Sequence, residues 1–222
     1  MTRTPQTRQE SLAHLLGGRR GALDATLPPL AFIAGYLAGG ESLAVGVAAA
    51  VAVSLAVAGW RMSRGERPRA VVLGVLGVAL AALIALRTGR AADFFVLRIA
   101  TNAASAAAWL ASIAVRWPLL GVVVGLVLGQ GTRWRRDPAL LRAYSRGSWV
   151  WVLQYVLRVA VLVPLWYADQ VVALGVAQAT LTWPLVALCL LVSWWVIRSS
   201  LPPEHPGLRH PVLVGDRQPA DP

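Results

Sequence analysis

The chain contains no lysine: all 21 of its basic residues are arginine, set against 10 acidic residues for a net charge of +11. Charged residues of either sign make up 14% of the 222 positions, well below the roughly 25% usual in soluble domains, which excludes an ordinary water-exposed globular surface. Cysteine is almost absent. The single thiol, Cys189, lies inside an apolar run, so neither an intramolecular disulfide nor a thiol pair for a metal is available. The three histidines, His14, His205 and His210, all fall in the terminal tails. Also missing are a paired-aspartate prenyl diphosphate motif, a Walker-type glycine loop and a zincin motif, so no cofactor, metal or standard catalytic residue is expected. The first 25 residues carry Arg3, Arg8, Glu10, Arg19, Arg20 and Asp24 and offer no apolar h-region. A cleaved signal peptide is therefore not expected, and insertion should begin with the first membrane span.

What is abundant is apolar side chain, 57% of the sequence. Arginines on so apolar a chain must lie between buried segments, as the positive-inside rule and anionic headgroups of the cytoplasmic leaflet select, and no nucleic-acid partner is expected. A helix needs about 20 apolar residues to cross a core of about 30 Å. Six runs qualify: Leu27 to Gly39, extended backward to Leu23, then Leu43 to Trp60, Ala70 to Leu86, Phe94 to Val115, Ser148 to Ala168 and Val171 to Ile197. The expected fold is therefore an all-α integral membrane bundle, a single domain over residues 11–199 between unstructured tails at 1–10 and 200–222. Ser11 to Leu23 also reads as a short interfacial helix, weakened by Gly17, Gly18 and Gly21.

Trp117 to Gln130 breaks the pattern, because its 14 residues reach only about 21 Å as a helix. With this run not crossing, Arg3 to Arg20, Arg61 to Arg69, Arg116, Arg133 to Arg146 and Arg198 onward share one side, against Arg87 and Arg90 on the other. If it crosses, the two sides carry nearly equal numbers of arginines. The rule favours six spans plus one re-entrant or interfacial segment, with both termini cytoplasmic in a bacterial inner membrane. Trp60, Trp149, Trp151, Trp194 and Trp195 then fall at the inner interface, and Trp166 and Tyr167 at the outer one. Gly35 and Gly39, and Gly121, Gly125 and Gly129, are spaced for close helix packing. Trp117-Pro118-Leu119 recurs as Trp183-Pro184-Leu185, but nothing else aligns and no internal repeat is inferred.

Polar groups inside the bilayer require a partner or a purpose. Arg158 lies near the middle of the fifth span with Gln154 one turn before it on the same face. It is either a clamp on carbonyls or a carboxylate of a neighbouring helix, or part of an anion or substrate site in a cavity. Arg98 and Asn102 form a similar pair on the fourth span. Asp93, Arg98 and Asp169 are expected to gather as an ion-paired outer cluster. Asp24, just ahead of Leu27-Pro28-Pro29, is read as a helix cap or as a proton or cation ligand at the inner mouth.

Several of these sequences occur together in one family. Gly17-Gly18-Arg19-Arg20-Gly21 with Asp24 and Leu27-Pro28-Pro29, Arg87-Thr88-Gly89-Arg90 with Asp93-Phe94-Phe95, and Trp134-Arg135-Arg136-Asp137-Pro138 resemble the actinobacterial multi-pass membrane proteins grouped as domain of unknown function three thousand one hundred and fifty-nine. The similarity continues through Asp169 to Gly175 and Trp183-Pro184, covering Leu12 to Arg198. The resemblance implies a helical inner-membrane protein and transfers no catalytic residue.

The leading functional expectation is a non-enzymatic transporter or channel-like protein, or a helper subunit of one, with Arg158 and Gln154 lining a polar site. The alternatives are an enzyme acting on an isoprenoid or lipid headgroup, with Asp24 and the arginine-rich inner loop at the polar ends of a lateral groove, and an envelope-assembly scaffold. Expected partners are the bilayer, anionic headgroups at the arginine loops and a second copy or another membrane protein.

Overall fold

The computed structural model describes residues 18–65, 68–202 and 205–208, with the side chains of 18–25 and 68–70 left aside. Its helices are α1 (Gly18–Ala38), α2 (Leu43–Ser63), α3 (Pro68–Thr88), α4 (Val96–Ala114), α5 (Leu119–Val127), α6 (Pro138–Tyr167) and α7 (Val171–Ser200). Two 3-10 turns, Ala91–Phe95 and Arg133–Arg136, lead into α4 and toward α6. No strand occurs among the described residues, as expected where only internally bonded helices satisfy the backbone in lipid.

Five segments are long and apolar enough to cross a membrane: α2, Val71–Thr88, Ala91–Ala114, α6 and α7. The apolar part of α1, Thr26–Ala38, is shorter. These helices place the chain in a lipid environment, and the leucines they leave exposed, such as Leu73, Leu76 and Leu83 on α3, face lipid rather than water.

Tight glycine turns make the antiparallel neighbours. Between α1 and α2 the chain reverses through Gly40 and Glu41, both at positive φ, 64° and 63°. Gly35 then lies so close to α2 that a Cβ on it would stand 2.6 Å from that of Ala49 and 2.9 Å from the Val45 carbonyl. The close packing expected of Gly35 is therefore real. Gly129 differs, because its φ of 66° belongs to the turn after α5 and its Cβ position meets nothing.

The nine residues of α5 reach about 13 Å, far short of a bilayer core. The chain doubles back at once. Trp134 of the second 3-10 turn is fully buried, and its ring occupies the space where side chains on Gly121 and Gly125 would go. Leu120 of α5 touches the Gly147 position of α6, which also faces Ile197 in the last turns of α7. The short segment is thus a hairpin seated at the end of the bundle where α6 begins and α7 finishes, in line with a re-entrant or interfacial element.

α6 starts ten residues before the expected Ser148. Asp137 is its N-cap, accepting from the Ala139 and Leu140 amides at 2.9 and 3.2 Å, with Pro138 at the first helical position. The stretch bearing Arg142 and Arg146 is therefore helix, its apolar side given by Leu140, Ala143 and Tyr144, all fully buried. Trp151 is not an interfacial ring: it is 8% exposed and stacks on Trp109 at 5.2 Å. Trp149, Trp194 and Trp195 are exposed.

At the tails, the expected unstructured segment 1–10 and the part of the interfacial helix before Gly18 lie outside the described residues, and the C-terminal tail begins docked rather than free. His205 Nε2 meets Asp137 Oδ2 at 2.8 Å with both side chains buried, and Gln130 donates to the Leu208 carbonyl at 2.9 Å. His205 Nδ1 accepts from the Gly207 amide at 3.0 Å, which leaves the proton on Nε2 for donation to the carboxylate.

Candidate functional site

The intramembrane arginines have separate fates, set by which backbone each can reach. At the end of the bundle opposite α5, the cation that gathers the acids is Arg90, not Arg98. Its guanidinium lies 3.8 Å from Asp93 Oδ1 and 3.6 Å from Asp169 Oδ1, and it donates to the Trp166 carbonyl at 3.2 Å. The Trp166 indole donates to Asp93 Oδ1 at 2.6 Å. The expected cluster of Asp93, Arg98 and Asp169 is corrected accordingly. The 3-10 turn at Ala91–Phe95 changes the angular phase between Asp93 and α4, so Arg98 points elsewhere.

Arg158 is 6% exposed and faces the bundle interior, as expected. Its guanidinium donates to the Leu181 and Thr182 carbonyls of α7 at 3.0 and 3.1 Å. Gln154 Oε1 is at 3.5 Å, so the one-turn pair forms but is its weakest contact. These carbonyls lie in the turn before Pro184, which has no N–H to return to Thr180 and whose ring crowds the preceding turn. The arrangement is a clamp between α6 and α7. Of the two readings of Arg158, the structure realises bonding to main-chain carbonyls, without a carboxylate.

Arg98 is half-buried and lines a cavity of about 210 Å³ where α1, α3, α4 and α7 approach one another. Pro28 and Pro29 of α1, Gly74 and Gly77 of α3, Phe95 and Thr101 beside α4, and Gln178 of α7 complete the walls. Asn102 does not pair with the guanidinium; its amide donates to the Arg98 backbone carbonyl at 2.9 Å. The Thr101 hydroxyl does the same at 2.9 Å. No carboxylate and no hydrogen-bond acceptor meets the Arg98 side chain among the described residues; Tyr155 and Arg158 of α6 lie within electrostatic reach of it. Gln178, 7% exposed, has a buried Oε1 that is likewise unpartnered. The Gln178 Oε1 is sealed from the cavity, so what the cavity presents to an external group is the unpaired Arg98 guanidinium.

Asp24 lies within α1, which starts at Gly18, so it caps no helix there; its side chain is outside the described residues. No group of three or more metal-ligating side chains occurs among the described residues. Composition missed Gln178 because a lone amide in an apolar run carries no motif; Arg98 was legible, but with the wrong partners.

Comparison with known proteins adds a family and no activity. No curated protein and no solved structure matches the chain. Residues 16–204, which include every helix from Gly18 to Ser200, match the sequence profile of the family described as Protein of unknown function (DUF3159), and the chain belongs to that family.

Proposed function

We propose that this protein is a transporter- or channel-like component of a bacterial inner membrane, or the helper subunit of one, that holds an anionic group on Arg98 within the bilayer. One observation carries the reading: a guanidinium inside a membrane-embedded cavity with no protein counter-charge among the described residues. An arginine near a helix centre costs about 2.5–3.5 kcal/mol on insertion scales, which Arg158 offsets with carbonyls; Arg98, the third residue of α4, bears less of that cost and has no such carbonyl partner. A bound oxyanion would offset it. Arg98→Gln should abolish stabilisation by anionic ligands in a thermal-unfolding screen in detergent, while leaving the ligand-free protein at least as stable. An undiminished ligand response in Arg98→Gln would remove the reading.

The arginine-rich end carrying α5, Arg133, Arg135 and Arg136 faces the cytoplasm in this proposal, with both termini, and the Arg90 cluster faces outward. After Cys189→Ala, a cysteine at Gly89 should react with a membrane-impermeant maleimide added to intact cells, and one at Ser145 should react only after lysis. Labelling of Ser145 in intact cells would invert the orientation.

A further inference from the structure

The Arg98 cavity opens sideways. Gly74 and Thr101, which form parts of its rim, are exposed, and neither lies at an end of its helix. Gly77 is beside the midpoint of α3, and Gly74 is three residues, about 4.5 Å, inside the Val71 start of its apolar span. Leu73, Leu76 and Leu80, 69%, 56% and 47% exposed, flank this opening with lipid-facing side chains. The Gly77 side of this opening therefore faces the apolar surface of the bundle.

The two glycines are not explained by packing. A Cβ at Gly74 or Gly77 would meet nothing within 4 Å, whereas at Gly35 it would strike α2. Glycine in a helix interior is worse than alanine by about 1 kcal/mol, so what these positions gain is open space. That space is apolar along Gly74, Gly77, Val78 and Leu97, and polar at Arg98 and Gln178. The guanidinium offers the planar fork that suits a phosphate or carboxylate.

Resting on the reading of Arg98 as an anion site, we infer that its ligand is a membrane-borne amphiphile. An oxyanion head sits on Arg98, and the apolar tail passes out between α3 and α4 over Gly74 and Gly77. The test uses the full-length protein in neutral detergent with three probes: inorganic phosphate, short-chain phosphatidic acid and phosphatidylcholine of equal chain length. Gly77→Leu puts a side chain into the passage from a position whose Cβ meets nothing within 4 Å, and Gly59→Leu, at a glycine of α2 whose Cβ is likewise free, is its control.

Phosphatidic acid should raise the unfolding midpoint of the parent at a concentration about tenfold or more below that needed for phosphatidylcholine, as loss of charged hydrogen bonds implies. Gly77→Leu should lose that response while its ligand-free midpoint equals or exceeds the parent's, and Gly59→Leu should keep it. If inorganic phosphate stabilises through Arg98 and Gly77→Leu is indifferent, the anion site stands and the membrane-borne ligand is wrong. A response to phosphatidic acid that survives both Arg98→Gln and Gly77→Leu, equal responses to the two lipids, or no response to any probe overturns the inference. Of these, survival in Arg98→Gln also removes the anion site itself.

Discussion

Trp134→Ala is expected to lower stability by about 3–5 kcal/mol, the range for deleting a fully buried tryptophan. The ring has no exposed surface, fills the space above Gly121 and Gly125, and meets Tyr144 edge to face at 5.6 Å. Without it α5 has no lid, and nine residues of apolar helix are too short to hold themselves across the bilayer. The same experiment has a built-in contrast. Trp134→Phe keeps much of the ring volume and removes an indole N–H that has no acceptor among the described residues, so its loss should be well under half that of alanine. In a Cys189→Ala background, a cysteine replacing buried Leu120 should become reactive in Trp134→Ala and stay protected in Trp134→Phe. Similar midpoints for parent and Trp134→Ala would show that the hairpin is not held by this contact.

Arg158→Leu is expected to destabilise the protein by about 0–3 kcal/mol, a difference between two larger quantities. Two hydrogen bonds from a charged donor are lost at about 1.5–3 kcal/mol each, and about 2.5–3.5 kcal/mol is regained by removing an arginine from mid-membrane. The anion-dependent rise in unfolding midpoint should persist, because Arg98 remains. A Leu variant as stable as the parent but blind to anions would instead give Arg158 the ligand role. Arg158→Lys keeps a charge but reaches at most one of the two carbonyls, so it should not restore the parent midpoint.

Much of the bundle could be read from the sequence because hydropathic runs of about 20 residues and glycine or proline punctuation are governed by the bilayer itself. The beginning of α6 was missed for a local reason. Arg142, Ser145 and Arg146 look like loop, yet Asp137-Pro138 is a cap followed by a favoured first residue, and Leu140, Ala143, Tyr144 and Gly147 repeat at helical spacing. Polar partners were harder. A clamp of Arg158 on main-chain carbonyls was one of the two readings the sequence allowed, but which carbonyls it reaches is not written in any inventory of side chains, although Pro184 marks the turn that presents them. Choosing Arg98 over Arg90 for the acid cluster failed because a 3-10 turn advances by about 3 residues per turn, not 3.6. The docking of His205 escaped notice because a proline-rich tail reveals nothing about the carboxylate it will meet.

The Arg158 clamp also bears on how the protein is made. While α6 is entering the bilayer, its guanidinium has only Gln154 and the Tyr155 ring of its own helix beside it; its strong acceptors belong to α7, which has yet to be synthesised. Only three residues, Ala168 to Gln170, separate the two helices. α6 and α7 therefore form a biogenetic pair: the second helix brings the carbonyls that make the first one acceptable to lipid, and a nascent chain ending at Tyr167 holds α6 poorly until its partner arrives.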